Sequence, residues 1–377
     1  MPQPEGRTLQ IDVHLTNFAV GLMPGIEDLQ GRRLFTNIPM KSRIGNYLVW
    51  DNFSDWNRVE GKELANMEAP PTAGFGKPTR SLVEARKWGV HTAWTDDDLA
   101  EADVDADEIE GLDGADAYEQ KKVAYVTRMA ALRLELDTIN LVRNTNWGTK
   151  LQGTDAGAPA GSTAGAGGGF TGSFLQWDDD ASRPISLMQN IALTMVYYTG
   201  KKPNVMGAPL AVLNVLYQHP EFLERVSGGA TTDRPAAVNK ALLAAMLGVD
   251  EIIELATVIN TAKEGQDAAM EWAWGYDVWL SYRPPAGTRP DKESPAPAYN
   301  FIWTGRSGGA SPTPFQGAMN NEGIFINRFN LQRPASYNAE AYLYSAPRVV
   351  ARQMGVLLKD AIPASAAPLL GVGTFAD

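Results

Sequence analysis

Eleven carboxylates crowd positions 96–116 with no Lys or Arg among them: Asp96, Asp97, Asp98, Glu101, Asp103, Asp105, Asp107, Glu108, Glu110, Asp113 and Asp116. Oxygen-rich runs of this kind are where a hard cation such as calcium is held. Asp103, Asp105 and Asp107 have the alternate spacing of a calcium loop. The rest of that loop fails, because Glu108 stands where the sharp turn needs Gly and Gly114 where a bidentate Glu is needed. A solvated, negatively charged lead-in to a helix is the reading these residues support.

Other reactive patterns are weaker still. The Gly-rich stretch before Phe170 has no GK[ST] and no strand leading directly into a helix, so it reads as a linker and not a phosphate cradle. Three histidines, His14, His91 and His219, are scattered without ligand spacing. His219, ahead of Pro220, reads as a helix boundary. No GxSxG elbow accompanies the serines. Asp178, Asp179 and Asp180 precede Pro184, where they are expected to cap a helix. With no cysteine in the chain, disulfides, thiolate metal sites and thiol nucleophiles are excluded. A carbohydrate-active enzyme would need two carboxylates about 5–10 Å apart across a cleft, and no pair can be nominated. No catalytic residue, cofactor or metal is therefore expected.

Charge is more informative on the preceding segment. Between Trp56 and Val90 six bases (Arg58, Lys62, Lys77, Arg80, Arg86 and Lys87) face four acids, a net of plus two beside the acidic run. A basic arm laid over a neighbour's acidic segment would steer association and fix register. These six bases, with Asp96, Asp97, Asp98, Asp103 and Asp105, are the candidate contact residues. The alternative is that both are solvated faces, since exposed pairs contribute only about 0–1 kcal/mol each.

The elements that must position these charges follow from pattern. A strand is expected over 34–50, then a long polar loop punctuated by Pro70, Pro71, Gly74 and Gly76, then a second strand over 81–94. A loop that long is functional or made for another chain, so the protein reads as an assembly subunit. A helix is expected over 115–144, with Tyr118, Tyr125, Met129, Leu132, Leu136 and Ile139 on one face. It would be roughly 45 Å long, a spine. After a Gly/Ala/Ser/Thr-rich connector at 152–173 the texture becomes compact α/β. A helix opens at Pro184 and closes at Gly200, and a strand covers 204–206. Helices over 208–217 and 236–247 follow, with strands over 251–261 and 271–282. After a Pro-rich loop at 284–297 comes the strand AYNFIW. Two antiparallel strands joined at 332–336 end the pattern.

The 377 residues allow two or three domains. No apolar run approaches a membrane span, and residues 1–10 lack a signal-peptide pattern. A net charge of −11 and a pI near 4.9 argue against a nucleic-acid binder. A β-rich binding module presenting Trp272, Trp274 and Trp279 would leave the spine helix unexplained.

Taken in order, several stretches resemble the major capsid protein of tailed double-stranded DNA bacteriophages, of the HK97-like fold. They are LFTNIPMKSRIGNYLVWDNFSDW, HTAWTDDDLAEAD, the run from Trp177 to Val226, ALLAAMLGVDEIIELATVINTAKEGQ, WAWGYDVWLSYRPP and AYNFIW. The resemblance runs from about residue 34 onward. It implies an α+β fold with an N-terminal arm (1–33) and an extended two-stranded loop with its flanking strands (34–92). A peripheral domain with the spine helix and connector (93–180) and an axial domain (181–321) would follow. Return strands to the peripheral domain (322–348) and a C-terminal axial segment (349–377) would complete it. Gln332, Arg333 and Pro334 would sit near threefold contacts. Self-assembly into pentamers and hexamers of an icosahedral shell around DNA is implied, in a virion assembled in the bacterial host cytoplasm. A portal, a separate scaffolding protein and a decoration protein are the implied partners. DNA would be enclosed without sequence-specific binding, and no membrane is involved. Lys77 has the place of a cross-linking lysine, but cross-linking is not expected. An encapsulin-like cellular compartment shares the fold and is the alternative.

Overall fold

The computed structural model describes residues 29–50, 53, 63–64, 69–70, 72, 78–101, 115–155, 162–164, 170–227, 238–263, 265–284, 295–304, 323–332 and 335–366. Arg58, Lys62, Lys77, Asp103, Asp105, Arg333 and Pro334 lie outside these described residues, as do residues 1–28. In chain order the strands are β1 (Thr36–Met40), β2 (Ile44–Val49), β3 (Thr79–Glu84), β4 (Arg86–Trp94), β5 (Thr149–Thr154), β6 (Ser162–Ala164), β7 (Phe170–Leu175) and β8 (Val205–Pro209). They continue as β9 (Glu251–Leu255), β10 (Val258–Asn260), β11 (Met270–Trp272), β12 (Val278–Ser281), β13 (Ala298–Trp303), β14 (Ile324–Gln332), β15 (Ala335–Val349) and β16 (Gly355–Lys359). The helices are α1 (Ala115–Asn144), α2 (Pro184–Thr199), α3 (Leu210–Gln218), α4 (Pro220–Ser227) and α5 (Lys240–Leu247).

Two compact units share these elements, the first made of Met1–Asn46, Leu82–Thr138 and Tyr299–Arg348, the second of Tyr47–Ser81, Ile139–Ala298 and Val349–Asp377. The first is a sheet in the order β1-β13-β15-β14, with β4 also on β15. Pro39, which cannot donate to a ladder, is tolerated because β1 is an edge strand. The long β15 carries β14 on one side, from Ile324↔Leu343 to Gln332↔Ala335. Along its other side runs β4, from Tyr337↔Trp94 to Ser345↔Arg86. Trp94, Ile324, Ile326, Ala339, Ala341 and Leu343 of this sheet pack on Val123, Val126, Ala130, Ala131 and Leu134 of α1. The alanines let the helix lie close to the sheet.

The spine helix has the expected bounds but a rotated inner face. Ile139 is buried, yet Tyr125 is 55 % exposed. The buried stripe is built from small residues and from Thr127, Glu135 and Thr138. Thr127 and Thr138 return their hydroxyls to the carbonyls of Val123 (2.8 Å) and Leu134 (2.9 Å), which hides them from a hydropathy pattern.

In the second unit a mixed sheet runs β6-β7-β5-β16-β12-β8-β9. Strands β7, β5 and β16 are mutually parallel, β12 is antiparallel to β16 and β8, and β9 is parallel to β8. Strands β8 and β12 are buried throughout, as in sheets covered on both faces. Met206, Leu280, Val356 and Leu358 meet Ile185, Met188, Leu213, Leu216, Phe222 and Leu243 of the helices. As expected, α2 begins at Pro184 and ends on Gly200, whose φ of 69° places it in the left-handed region that favours glycine.

Several expected strands are broken, and for one reason. The 34–50 strand divides at 41–43 and the 81–94 strand at Ala85, because β1 and β4 belong to the five-stranded sheet of the first unit while β2 and β3 form a separate two-stranded ribbon. At the junction the Ala85 N–H still donates to the Arg43 carbonyl at 2.8 Å. Likewise 251–261 becomes β9 and β10, and 271–282 becomes β11 and β12. The 208–217 helix starts at Leu210 because Ala208 and Pro209 finish β8. The 236–247 helix is described from Lys240, after Asn239, whose side chain accepts from the Leu242 N–H.

Candidate functional site

The predicted basic arm is only partly free for a partner. Arg80 is exposed on β3, near Leu82, which is 64 % exposed. Lys87 instead lies over the Tyr342 ring, 3.6 Å from its centroid. Burial pushes its ammonium pKa down, Glu340 opposes that shift, and Arg43 adds to it. Glu340 in turn accepts from the Tyr342 hydroxyl and from Asn327 at 3.3 Å. Arg86 is next in sequence but points to the other face of the strand, as period-two alternation requires.

The acidic lead-in starts at the far end of β4. Thr95 and Asp98 form a reciprocal cap: the Thr95 N–H and hydroxyl donate to Asp98 Oδ2 at 2.8 and 2.9 Å, and the Asp98 N–H donates back at 3.3 Å. The Thr95 backbone donor, with its hydroxyl, holds the Asp98 carboxyl below the ordinary aspartate range, helped by Lys122. Asp96 accepts from the Tyr337 hydroxyl and pushes the phenol pKa up. Asp97 and Glu101 are left exposed. Among the described residues, Arg86 and Lys87 therefore lie at one end of β4 and Asp96, Asp97, Asp98 and Glu101 follow its other end. Gln332 ends β14, its backbone paired with Ala335.

The expected cap on α2 is a correction. Asp179 Oδ1 accepts from the Ala181 N–H at 2.7 Å, within its own turn. The helix N-terminus is instead served by Glu221 of α4, whose Oε2 accepts the Ile185 N–H at 3.0 Å. A carboxylate from a neighbouring helix reached the orphan donor that no local side chain caps.

Three buried polar anchors had no sequence signal. Glu135 is fully buried and accepts the backbone N–H groups of Gly31 (3.1 Å) and Arg32 (2.6 Å). Asp277, 1 % exposed, takes Arg143 at 2.7 Å and the Asp360 N–H at 3.0 Å. His219 is buried between Ser182, 2.9 Å from Nε2, and the Glu221 N–H, which donates to Nδ1 at 3.1 Å. With Nδ1 accepting, the neutral ring carries its proton on Nε2 and donates to the Ser182 hydroxyl. It cannot act as that hydroxyl's base, so the pair is a structural tie and not a nucleophile dyad.

Of the three tryptophans of the binding-module reading, Trp274 and Trp279 are 1 % and 0 % exposed and Trp272 is half-buried, so no face presents all three and that reading falls.

Comparison with known proteins bears on the fold. No protein-family model and no curated protein matches the chain. A phage-related protein from Bordetella bronchiseptica RB50 is similar at a TM-score of 0.63 and 18 % identity, over 95 % of this chain and 100 % of that one. A virus-like particle from Pyrococcus furiosus gives 0.47 at 7 % identity, over 92 % and 98 %. The capsid of cyanophage P-SCSP1u gives 0.44 at 10 % identity, over 95 % and 91 %. The latter two are too loose to add weight. The first extends over nearly the whole of both chains and shares its fold with this one, and the mixed α+β class expected from the sequence is the one observed.

Proposed function

We propose that this chain is a major capsid protein that self-assembles into pentamers and hexamers of an icosahedral shell around packaged double-stranded DNA. The carrying observation is the end-to-end agreement in fold with the Bordetella phage-related protein, which leaves no unmatched domain on either side. Its identity is low, so the fold is what it contributes, and the shell role rests on adding the surface to it. Ile44 and Leu82 of the β2–β3 ribbon are 55 % and 64 % exposed, apolar area that suits burial against a neighbour.

Within that reading, residues 1–33 are the arm, 34–92 the extended loop with its flanking strands, and 93–180 the peripheral domain. Residues 181–321 form the axial domain, 322–348 return to the periphery, and 349–377 rejoin the axial domain. Arg80 on the ribbon and the 332–334 turn are contact points between subunits. A separate scaffolding protein and a portal complete the particle, a decoration protein is a further candidate partner, and assembly takes place in the host cytoplasm. No catalytic role is part of this reading, since Glu135 and Asp277 are both engaged by donors of their own chain.

The test is electron microscopy of the protein expressed alone and purified by size exclusion. Closed shells, tubes or rings of five and six are expected. A monodisperse monomer that stays folded in dilute solution overturns the proposal. Particles carrying a protein cargo and no DNA during phage growth would point to a cellular compartment.

A further inference from the structure

In the first unit, α1 and β4 bring three arginines to one aspartate. Asp137 on α1 pairs with Arg133 one turn earlier, at 2.9 Å. The Arg133 guanidinium lies flat over the Trp88 ring of β4, 3.7 Å from its centroid. Arg86 is two residues before Trp88 on the same face of that strand, paired with Ser345 of β15. Both Arg86 and Arg348 are near enough to act on the Asp137 carboxyl. Burial pushes that carboxyl's pKa up, and all three arginines pull it back. One carboxylate thus sits among three guanidinium groups, a local surplus of two positive charges on a chain of net −11. Arg86 is exposed, and Arg133 and Arg348 are part-exposed. A fork of this kind matches carboxylates.

The described part of the chain's own acidic segment cannot reach it. Thr95 to Glu101 follow Trp94 at one end of β4, while Arg86 is at the other. Eight strand steps of about 3.4 Å put them roughly 27 Å apart. Lys122, near Asp98, and Asp137 are likewise separated by fifteen residues of α1, about 22 Å. The unit is therefore polar, acidic at one end and arginine-rich at the other. Two copies in head-to-tail contact bring unlike ends together, the geometry that closes rings. A nucleic-acid phosphate has the right charge, but it brings negative charge all along its length to a protein of net −11; a second copy is also net-negative, yet it carries its acids in one localised eleven-acid segment that can be laid on the arginines alone.

We propose that Arg86, Arg133 and Arg348, gathered around Asp137, form a receptor for carboxylates of the 96–116 segment of a second copy of this chain. The inference deepens the shell reading and rests on it, and it names the pairing of unlike ends. Asp97 and Glu101, exposed on the helical turn, are the nearest donors of free charge.

The test separates this contact from assembly at large. A labelled synthetic peptide of residues 96–116 is titrated into the full-length protein, kept dilute, and read by fluorescence anisotropy. Binding to wild type that weakens as NaCl rises from 50 to 500 mM is expected. Loss of about tenfold or more in Arg86→Glu/Arg348→Glu is also expected, with Arg86→Gln/Arg348→Gln intermediate. All variants should keep the wild-type far-UV circular dichroism, so lost binding is not lost folding. In parallel, Asp97→Lys/Glu101→Lys should raise the concentration needed for assembly, and its mixture with Arg86→Glu/Arg348→Glu should restore it. Shells that form normally while the peptide fails to bind overturn this contact and leave the shell reading standing. Peptide binding without any assembly overturns the shell reading instead. Equal peptide binding by wild type and the reversed variant, or arginine-dependent retention of duplex DNA in place of peptide, also overturns the proposal.

Discussion

Replacing Glu135 by Ala tests whether a single buried carboxylate ties the chain ahead of β1 to the spine helix. Glu135 is fully buried in α1 and accepts two backbone donors from residues more than a hundred positions away, Gly31 at 3.1 Å and Arg32 at 2.6 Å. Each buried donor deprived of its acceptor costs about 1–3 kcal/mol, toward the upper part of that range for bonds to a charged group. Removing the carboxylate also relieves its own desolvation, and Ala is the better helix former, so the two donor terms do not add in full. The net expectation is about 3–5 kcal/mol. Glu135→Gln keeps the volume and one acceptor oxygen but turns an NH₂ toward a donor, so it should cost about 2 kcal/mol. In differential scanning calorimetry the first unit's transition should fall by about 10 °C in the Ala variant and about 5 °C in the Gln variant, at roughly 2–4 °C per kcal/mol for a unit of this size. A Glu135→Ala protein melting within about 2 °C of wild type would refute the reasoning, because it would mean the two N–H groups find other acceptors without loss.

Other perturbations probe the second unit and the cap. Gly355 has no room for a side chain: a Cβ there would meet the ring of Trp279 and, at 2.7 Å, that of Trp147. Gly355→Ala should therefore lose about 1–3 kcal/mol by overpacking and shift the tryptophan emission, since the two rings stand 4.5 Å apart. Arg143→Ala strips Asp277 of its cation while the carboxylate stays buried, for a loss near the low end of about 3–5 kcal/mol because Arg143 is itself part exposed; Arg143→Lys should recover a portion in urea titrations. Asp98 titrates below the ordinary aspartate value of 3.8, so its capping contribution is fully present above that pH and is lost as pH falls through the lower folded value. Carboxyl carbon NMR should find the Asp98 midpoint under 3.8 in the folded protein, and Thr95→Val should move it upward.

What the sequence disclosed was the order of elements, and what it concealed was where chains change sheets. The bounds of α1, the Pro184 and Gly200 ends of α2 and the strand AYNFIW all follow from local signals that tertiary contacts reinforce. The breaks at 41–43 and at Ala85 have no such signal, because a strand that leaves one sheet for another keeps the same alternation on both sides. The inner face of α1 was misplaced for a related reason. Tyr125 scores as core yet is exposed, while Glu135 scores as surface yet is fully buried, its charge satisfied by donors that lie far away in sequence. Charge blocks were legible as blocks but not as contacts. Arg86 and Lys87, adjacent in sequence, serve opposite faces of β4, and only register shows that one joins Arg133 and Asp137 while the other covers Tyr342.

The polar groups of this chain divide into two kinds that respond to solution conditions differently. Glu135, Asp277 and His219 are buried, saturated and span long separations in sequence, so little solvent ion reaches them and they hold the fold across a wide range of salt. Arg86, Asp97 and Glu101 are exposed, where screening over about 8–10 Å governs what they contribute. If the chain assembles as proposed, this division lets contacts between copies weaken as ionic strength rises while each copy remains folded. The same separation bears on order of assembly. Each copy carries net −11, so copies repel at a distance, and association becomes favourable only once unlike ends are within a screening length of each other. On the proposed shell reading, that condition would select orientation before apolar surface such as Ile44 and Leu82 is committed, with charge setting the register and burial supplying the adhesion.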